Sequence, residues 1–268
     1  MELRRLILGI SIVVASSNLA IADVEPGEPR YELLLDGTIA AVGAAGWIAS
    51  ERLVDLSPSS CRWCASNVLD AGARNSLRWS DPEPAHKASN VAAFVATPVC
   101  TLSVSLIAAV EAGDRDEILE DGLILAEATA VGAIVHQIVK FSVAREQPYA
   151  HDLTPEERVR RGIRHRNTSF YSGHTASAFT IAVGAGTLAA MRGYDRQEWV
   201  WGVGLAAATT TGYLRLASDR HYLTDVLAGA AIGSAIGLIV PYYLHPPSAP
   251  QLEAPAMTPT AFSVGSSW

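Results

Sequence analysis

Positive charge is scarce in this sequence. Twenty Lys and Arg stand against 27 Asp and Glu, a formal net charge of −7 over 268 residues. A general nucleic-acid binder needs a basic face, so no nucleic-acid partner is expected. Cysteine is scarcer still: Cys61, Cys64 and Cys100 are all there is. Three cysteines cannot staple a small scaffold or supply a four-cysteine zinc site, and Cys61-x-x-Cys64 lacks the strand-helix setting of a redox dithiol. One structural disulfide and one free thiol are expected, with the pairing left open. Strand patterns are weak and no repeat of 20–50 residues stands out, which excludes sheet and solenoid architectures.

What is abundant is apolar sequence, 49% of the chain. Segments near 32–50, 89–111, 117–141, 174–191, 198–217 and 221–244 read as helices. The expected fold is therefore all-α, a helical bundle of about six core helices with the active site at the helix ends. Residues 1–22 carry Arg4 and Arg5, an uncharged run Leu6–Val14 and the small-x-small triplet Ala20-Ile21-Ala22. That is the pattern of a secretory signal, and it predicts an exported protein, either periplasmic or in the inner membrane with an outward-facing site. Residues 23–88 read as an N-terminal helix and a cysteine-containing loop packed on the bundle. Within them Ser80 or Asp81, before Pro82, suits a helix cap. Residues 89–245 form the main domain, and 246–268, rich in Pro, Ser, Ala and Thr, read as a flexible tail.

Membrane crossing stays open at this level. Residues 91–110 and 226–240 hold no charged side chain and approach the length of about 20 residues that a bilayer demands. Asp36, Glu120, Asp121, Glu127, His136 and Lys140 sit in other segments, and such groups are costly in lipid unless they face protein.

Three polar clusters interrupt the apolar segments: "VKFSVAREQPY" with Lys140, Arg145 and Gln147, "FYSGHT" with Ser172, Gly173 and His174, and "YLRLASDRHYLTDVLAG" with Arg215, His221 and Asp225. Each falls at a segment end, where a bundle can bring all three to one pocket. Lys140, Arg145 and Arg215 supply positive charge and directed donors for a tetrahedral oxyanion. Ser172 and the backbone N–H groups of Gly173 and His174, at a helix N-terminus, add donors to the same anion. The arginines of 149–168 (Arg158, Arg160, Arg161, Arg164 and Arg166) read as a solvated surface helix paired with Glu156 and Glu157, or as a basic rim for anionic substrate.

In order and spacing the clusters resemble the signature of the type 2 phosphatidic acid phosphatase superfamily, which includes bacterial class A acid phosphatases and vanadium haloperoxidases. The resemblance covers roughly residues 90–244. It departs from the pattern at Gln147, where the family has arginine, at Tyr171, where it has proline, and at Leu214, where it has serine. The resemblance implies phosphoryl transfer without metal or cofactor. His221 would attack phosphorus, His174 would protonate the leaving oxygen, and Asp225, one turn beyond His221, would hold the Nδ1 proton. Lys140, Arg145, Gln147, Ser172, Gly173 and Arg215 would bind phosphate, with Arg145 taking over from the missing arginine. The expected substrate is a phosphomonoester or a lipid phosphate or diphosphate, making the protein an acid phosphatase or a lipid phosphate phosphatase. Two alternatives accompany it: a haloperoxidase, in which vanadate would be the cofactor, and a non-catalytic bundle that binds phosphate or lipid.

Overall fold

The computed structural model describes residues 27–53, 58–160 and 167–247. Residues 1–22, expected to be a secretory signal, the tail beyond Pro247 and Arg161, Arg164 and Arg166 lie outside the described residues. The architecture is all-α. Among the described residues the only extended pairings are isolated bridges, Pro29 with Pro247 and Trp63 with Arg145.

Helix α1 spans Leu33–Ile48 and continues as a π turn, Ala49–Leu53. A short helix follows, α2 at Val68–Leu77, opened by Asn67, whose side chain accepts the Asp70 N–H. Then α3 (Pro82–Val91) runs through a π turn into α4 (Thr97–Ala112), which ends at Gly113 in the left-handed conformation. Asp81 caps α3 and Pro82 supplies its first turn, where a missing N–H costs nothing. This apolar rod begins seven residues before the expected 89, because a proline-led, Asp-capped turn starts a helix that hydropathy alone does not mark.

Helix α5 (Ile118–Val143) leads into two short helices, α6 (Pro148–His151) and α7 (Pro155–Arg160). The bundle closes with α8 (Gly173–Met191), α9 (Gln197–Ala217) and α10 (Leu223–Ile239), the last extended by a π turn, Val240–Leu244.

Helix α8 is the axis of the bundle, with almost every side chain from Thr175 to Met191 buried. Such a helix cannot be amphipathic, which is why it reads as a uniform apolar run. It packs against α10 at backbone range: a Cβ on Gly233 would stand 2.2 Å from the Ala176 carbonyl oxygen. Small residues at this face let the two backbones touch, as helices do where packing rather than hydrophobicity holds them.

The outer helices carry the opposite pattern. Leu34 is 86% exposed and Ile138 62%, and Val42, Val99, Ile107 and Leu227 also face outward. Four stretches, Leu33–Glu51, Pro82–Ala112, Ile118–Val143 and Leu223–Leu244, are long and apolar enough to cross a bilayer. A water-soluble monomer does not expose so much contiguous apolar surface, whereas lipid accepts it. The protein is a membrane protein. Asp36 and Glu127, the charges that stand against spanning in the sequence, are turned into protein and buried.

Candidate functional site

The ends of α5 and α9, the N-termini of α8 and α10 and the loops between them meet at one end of the bundle. Helix α5 stops where Ala144 adopts a left-handed conformation and its N–H returns to the Lys140 carbonyl at 3.2 Å. The chain then runs beside the cysteine loop. Arg62 N–H donates to the Ala144 carbonyl (3.0 Å) and Glu146 N–H to that of Trp63 (3.1 Å). Cys61 and Cys64 form the disulfide of this loop, and Cys100 is free and exposed.

Arg145 is fully buried. Its guanidinium pairs with Asp225 and with Asp70 (2.6 Å), donates to Thr224 Oγ1 (2.7 Å) and lies 3.9 Å from the Trp63 ring centroid and 4.3 Å from that of Tyr222. The sequence places Arg145 on the substrate phosphate; in the structure two carboxylates already neutralise it. The reason is helix α2, which lies where the sequence suggests only a cysteine-containing loop. Its Asp70 accepts from Arg145 and from the Thr224 backbone N–H (2.9 Å), while its Arg74 clamps Asp219 through two bonds of 2.7 Å. Asp219 sits in a left-handed turn at φ 56° between α9 and α10. Helix α2 therefore fixes both the loop that carries His221 and the start of α10.

His221 is buried and turns its Nδ1 to the Ser169 carbonyl oxygen at 2.8 Å. The expected hydrogen bond to Asp225 is absent, that carboxylate standing 3.7 Å from Nδ1. Asp225 occupies the third position of α10, where its Oδ2 takes the Tyr222 N–H (2.9 Å) and the Ser169 hydroxyl (2.6 Å). A carboxylate at that position is drawn to the free N–H groups of its own helix end. The consequence for His221 is nevertheless the one required, since an Nδ1–H held by a carbonyl leaves the Nε2 lone pair free. Burial is the main influence on His221 and pushes its pKa below the ordinary value. Asp225 opposes that shift, and the Arg215 charge reinforces it.

Ser172 precedes α8, with its Oγ 2.9 Å from Thr175 Oγ1 and its N–H on the Asp225 carbonyl (3.0 Å). Gly173 has no room for a side chain: a Cβ there would lie 2.6–3.0 Å from the ring of His136. His136, in α5, points its Nε2 at the Tyr171 carbonyl (3.1 Å). Next along α8, His174 places Nε2 2.8 Å from Asn90 Oδ1, with its ring edge-on to Phe94 at 4.8 Å. Burial, and after it the charges of Arg215, His221, His86 and His136, push the pKa of His174 well below its ordinary value.

Arg215 is 4% exposed, and one of its terminal nitrogens donates to Ser89 Oγ (3.0 Å) and lies 3.4 Å from His86 Nδ1. Its Nε has no hydrogen-bond partner, and no carboxylate pairs with it among the described residues. A buried guanidinium left without a counter-charge is costly unless an anion completes it. Lys140 is also buried but is paired with Glu51, from the π turn after α1, which Gln137 holds at 2.8 Å. Gln147 is buried at the N-cap position of α6 and makes no side-chain capping bond there. In the basic connection Arg158 reaches Glu146 at 3.0 Å and Arg160 reaches Glu157 at 3.7 Å, in keeping with a paired surface helix.

Asn90, His86, Ser89, Glu51, Asp70 and Ser169 complete this site, and sequence spacing carries no signal for them. They come from α1, α2, α3 and the loop before α8, and only packing brings them to the histidines.

Residues 121–247 match the family model of the PAP2 superfamily. Over 69 residues, 26% of this chain, the sequence is 41% identical to a lipid A 1-phosphatase of Porphyromonas gingivalis; the match spans 15% of that protein's length. A crystal structure of a transmembrane PAP2 type phosphatidylglycerolphosphate phosphatase from Bacillus subtilis aligns with a TM-score of 0.40 at 15% identity. That alignment covers 88% of this chain and 92% of the other.

Proposed function

We propose that this chain, whose residues 121–247 match the PAP2 superfamily model, is a phosphatase of that family that removes a phosphoryl group from a lipid phosphate or diphosphate at the membrane. The observation that carries the reading is Arg215, a buried cation with no carboxylate partner among the described residues, whose charge acts on both His174 and His221. A phosphate entering there supplies the missing counter-charge and gains strength from the low-dielectric surroundings.

His221 Nε2 attacks phosphorus while the bond to the leaving oxygen breaks, giving a phosphohistidine. His174 delivers a proton to that oxygen. Water then attacks phosphorus with His174 accepting its proton, and phosphate leaves as the bond to Nε2 breaks. The Ser169 carbonyl holds Nδ1–H throughout and fixes the tautomer. The N–H groups at the start of α8 and the Ser172 hydroxyl face the developing charge. Lys140 joins only when phosphate displaces Glu51 from it. No step requires a metal or an organic cofactor.

The membrane-facing helices support a lipid in preference to a soluble ester. The Cys61–Cys64 disulfide belongs to the loop beside Arg145. Disulfides persist in oxidising compartments, which supports a site on the outer face.

The test is phosphate release from phosphatidic acid, prenyl diphosphate and a soluble ester such as p-nitrophenyl phosphate, using protein in mixed micelles. Release from the lipids should exceed that from the soluble ester. His221→Ala should abolish turnover, and an acid-labile phosphoenzyme should be trapped on the wild-type chain alone. Full turnover by His221→Ala sinks the mechanism.

A further inference from the structure

A second polar cluster lies at the far end of the bundle. Asp36 of α1, Glu127 of α5 and His245, just beyond α10, are each at most 4% exposed, and they bring one donor atom apiece within 4.8 Å of one another. His245 stands 22 residues beyond Leu223, about 30 Å along the axis at 1.5 Å per residue, so the cluster takes no part in the chemistry at His221.

Its charges do not balance with protons on the imidazole alone. Two carboxylates face one histidine, and among the described residues no lysine or arginine pairs with either. Even a doubly protonated imidazole leaves one net negative charge buried, an expensive state in a protein interior. The ring is also oriented as a ligand. His245 Nδ1 is 2.7 Å from the Arg30 carbonyl oxygen, an acceptor only, so Nδ1 carries a hydrogen. In the neutral ring Nε2 is then a bare lone pair, yet it faces Glu127 Oε2 at 2.7 Å, another acceptor. Two lone pairs at that separation need a proton or a metal cation between them, and a proton there still leaves the Asp36 carboxylate without a counter-charge. A metal-bound histidine has this arrangement, one nitrogen on the metal and the other N–H on a backbone carbonyl.

We propose that Asp36, Glu127 and His245 bind one divalent transition cation, with Zn²⁺ the best match. One imidazole nitrogen and two carboxylates neutralise a 2+ charge, and a mixed nitrogen and oxygen donor set favours Zn²⁺ or Mn²⁺ over Mg²⁺ or Ca²⁺. Tetrahedral bonds of about 2.0–2.2 Å place ligand atoms about 3.3 Å apart, so Nε2 and Oε2 separate by a few tenths of an ångström on binding. The site is a clamp. It ties the entry to α1 and the exit from α10, which also meet at the Pro29 and Pro247 bridge, onto α5. Such a metal holds structure and leaves phosphoryl transfer to the other end of the bundle.

Elemental analysis of the full chain purified in detergent, without added chelator, should find about one equivalent of Zn²⁺ or Mn²⁺. Stripping with EDTA should lower Tm. Zn²⁺ in the micromolar range should restore it, whereas millimolar Mg²⁺ should not. Glu127→Gln and His245→Gln should each lose the bound metal and the Zn²⁺ response, while phosphate release at 25 °C by Glu127→Gln stays within about twofold of wild type. Less than a tenth of an equivalent together with no Zn²⁺-dependent shift overturns the site. An equal response to Mg²⁺, or binding retained by both variants, overturns the assignment. The wild-type measurements decide the matter even if a variant fails to fold, and they are independent of the phosphatase reading.

Discussion

The carbonyl oxygen of Ser169 lies 2.8 Å from His221 Nδ1, and the hydroxyl of the same serine donates to Asp225 at 2.6 Å. Asp225 thus steers the imidazole through the backbone of Ser169 instead of by direct contact, and its own position depends on buried Arg145.

The relay makes turnover depend on the Ser169 hydroxyl, which a direct His–Asp contact would not. Ser169→Ala removes the hydroxyl but keeps the carbonyl, so phosphate release should fall less than about tenfold while stability drops by about 1–2 kcal/mol for one buried hydrogen bond. Asp225→Asn weakens the ion pair with Arg145 and should cost far more of both. Steady-state kinetics and thermal melts decide, and a Ser169→Ala variant with unchanged turnover refutes the relay.

The two buried arginines should behave as opposites. Arg145→Ala leaves Asp70 and Asp225 unpaired and should destabilise the chain by about 3–5 kcal/mol, the usual result of breaking a buried pair from one side. Arg215→Ala removes a charge that no carboxylate compensates, so Tm should change little or rise. Its kcat/KM should fall at least about 100-fold, corresponding to about 2.7 kcal/mol of lost transition-state binding. A large drop in Tm for Arg215→Ala would show that it, too, serves the fold.

Gly173→Ala should be inactive, because its Cβ would press on the His136 ring at 2.6–3.0 Å and push the start of α8 away from the phosphate. The double variant Gly173→Ala, His136→Ala frees that space and should recover part of the lost activity. No recovery would mean that His136 has a role of its own.

The pH profile follows from His221. Burial favours its neutral form, so its folded-state pKa lies below the ordinary value near 6.5. The attacking form persists into mildly acid solution, and the acid limb of kcat/KM should fall below pH 6.5. The same shift makes neutral His221 a source of stability that is complete above pH 6.5 and declines as the pH falls, because the unfolded chain then binds the extra proton. His221→Ala should therefore flatten the dependence of Tm on pH in this range. An acid limb above pH 6.5 contradicts the assignment.

Much of the site was legible because its residues lie close together along the chain. Ser172, Gly173 and His174 occupy one turn, and Arg215, His221 and Asp225 lie within 11 residues of one cluster. Arg145 reads as a phosphate ligand in the sequence because its partners Asp70 and Trp63 are about eighty residues away along the chain. The far cation cluster was equally hidden: Asp36, Glu127 and His245 are each unremarkable in sequence, and Asp36 and Glu127 counted only as charges that lipid would reject.

Apolar segments separated by capped polar turns determine an all-helical chain, because burying backbone in helices satisfies its hydrogen bonds locally wherever water is absent. Motif spacing determines which helix ends carry the candidate site, since it fixes side chains on a shared turn. Which cation meets an anion was decided by tertiary structure alone. Packing gave Arg145 two carboxylates, left Arg215 with none and turned His221 toward Ser169, and a charge buried at low dielectric takes its meaning from whatever neighbours the fold delivers.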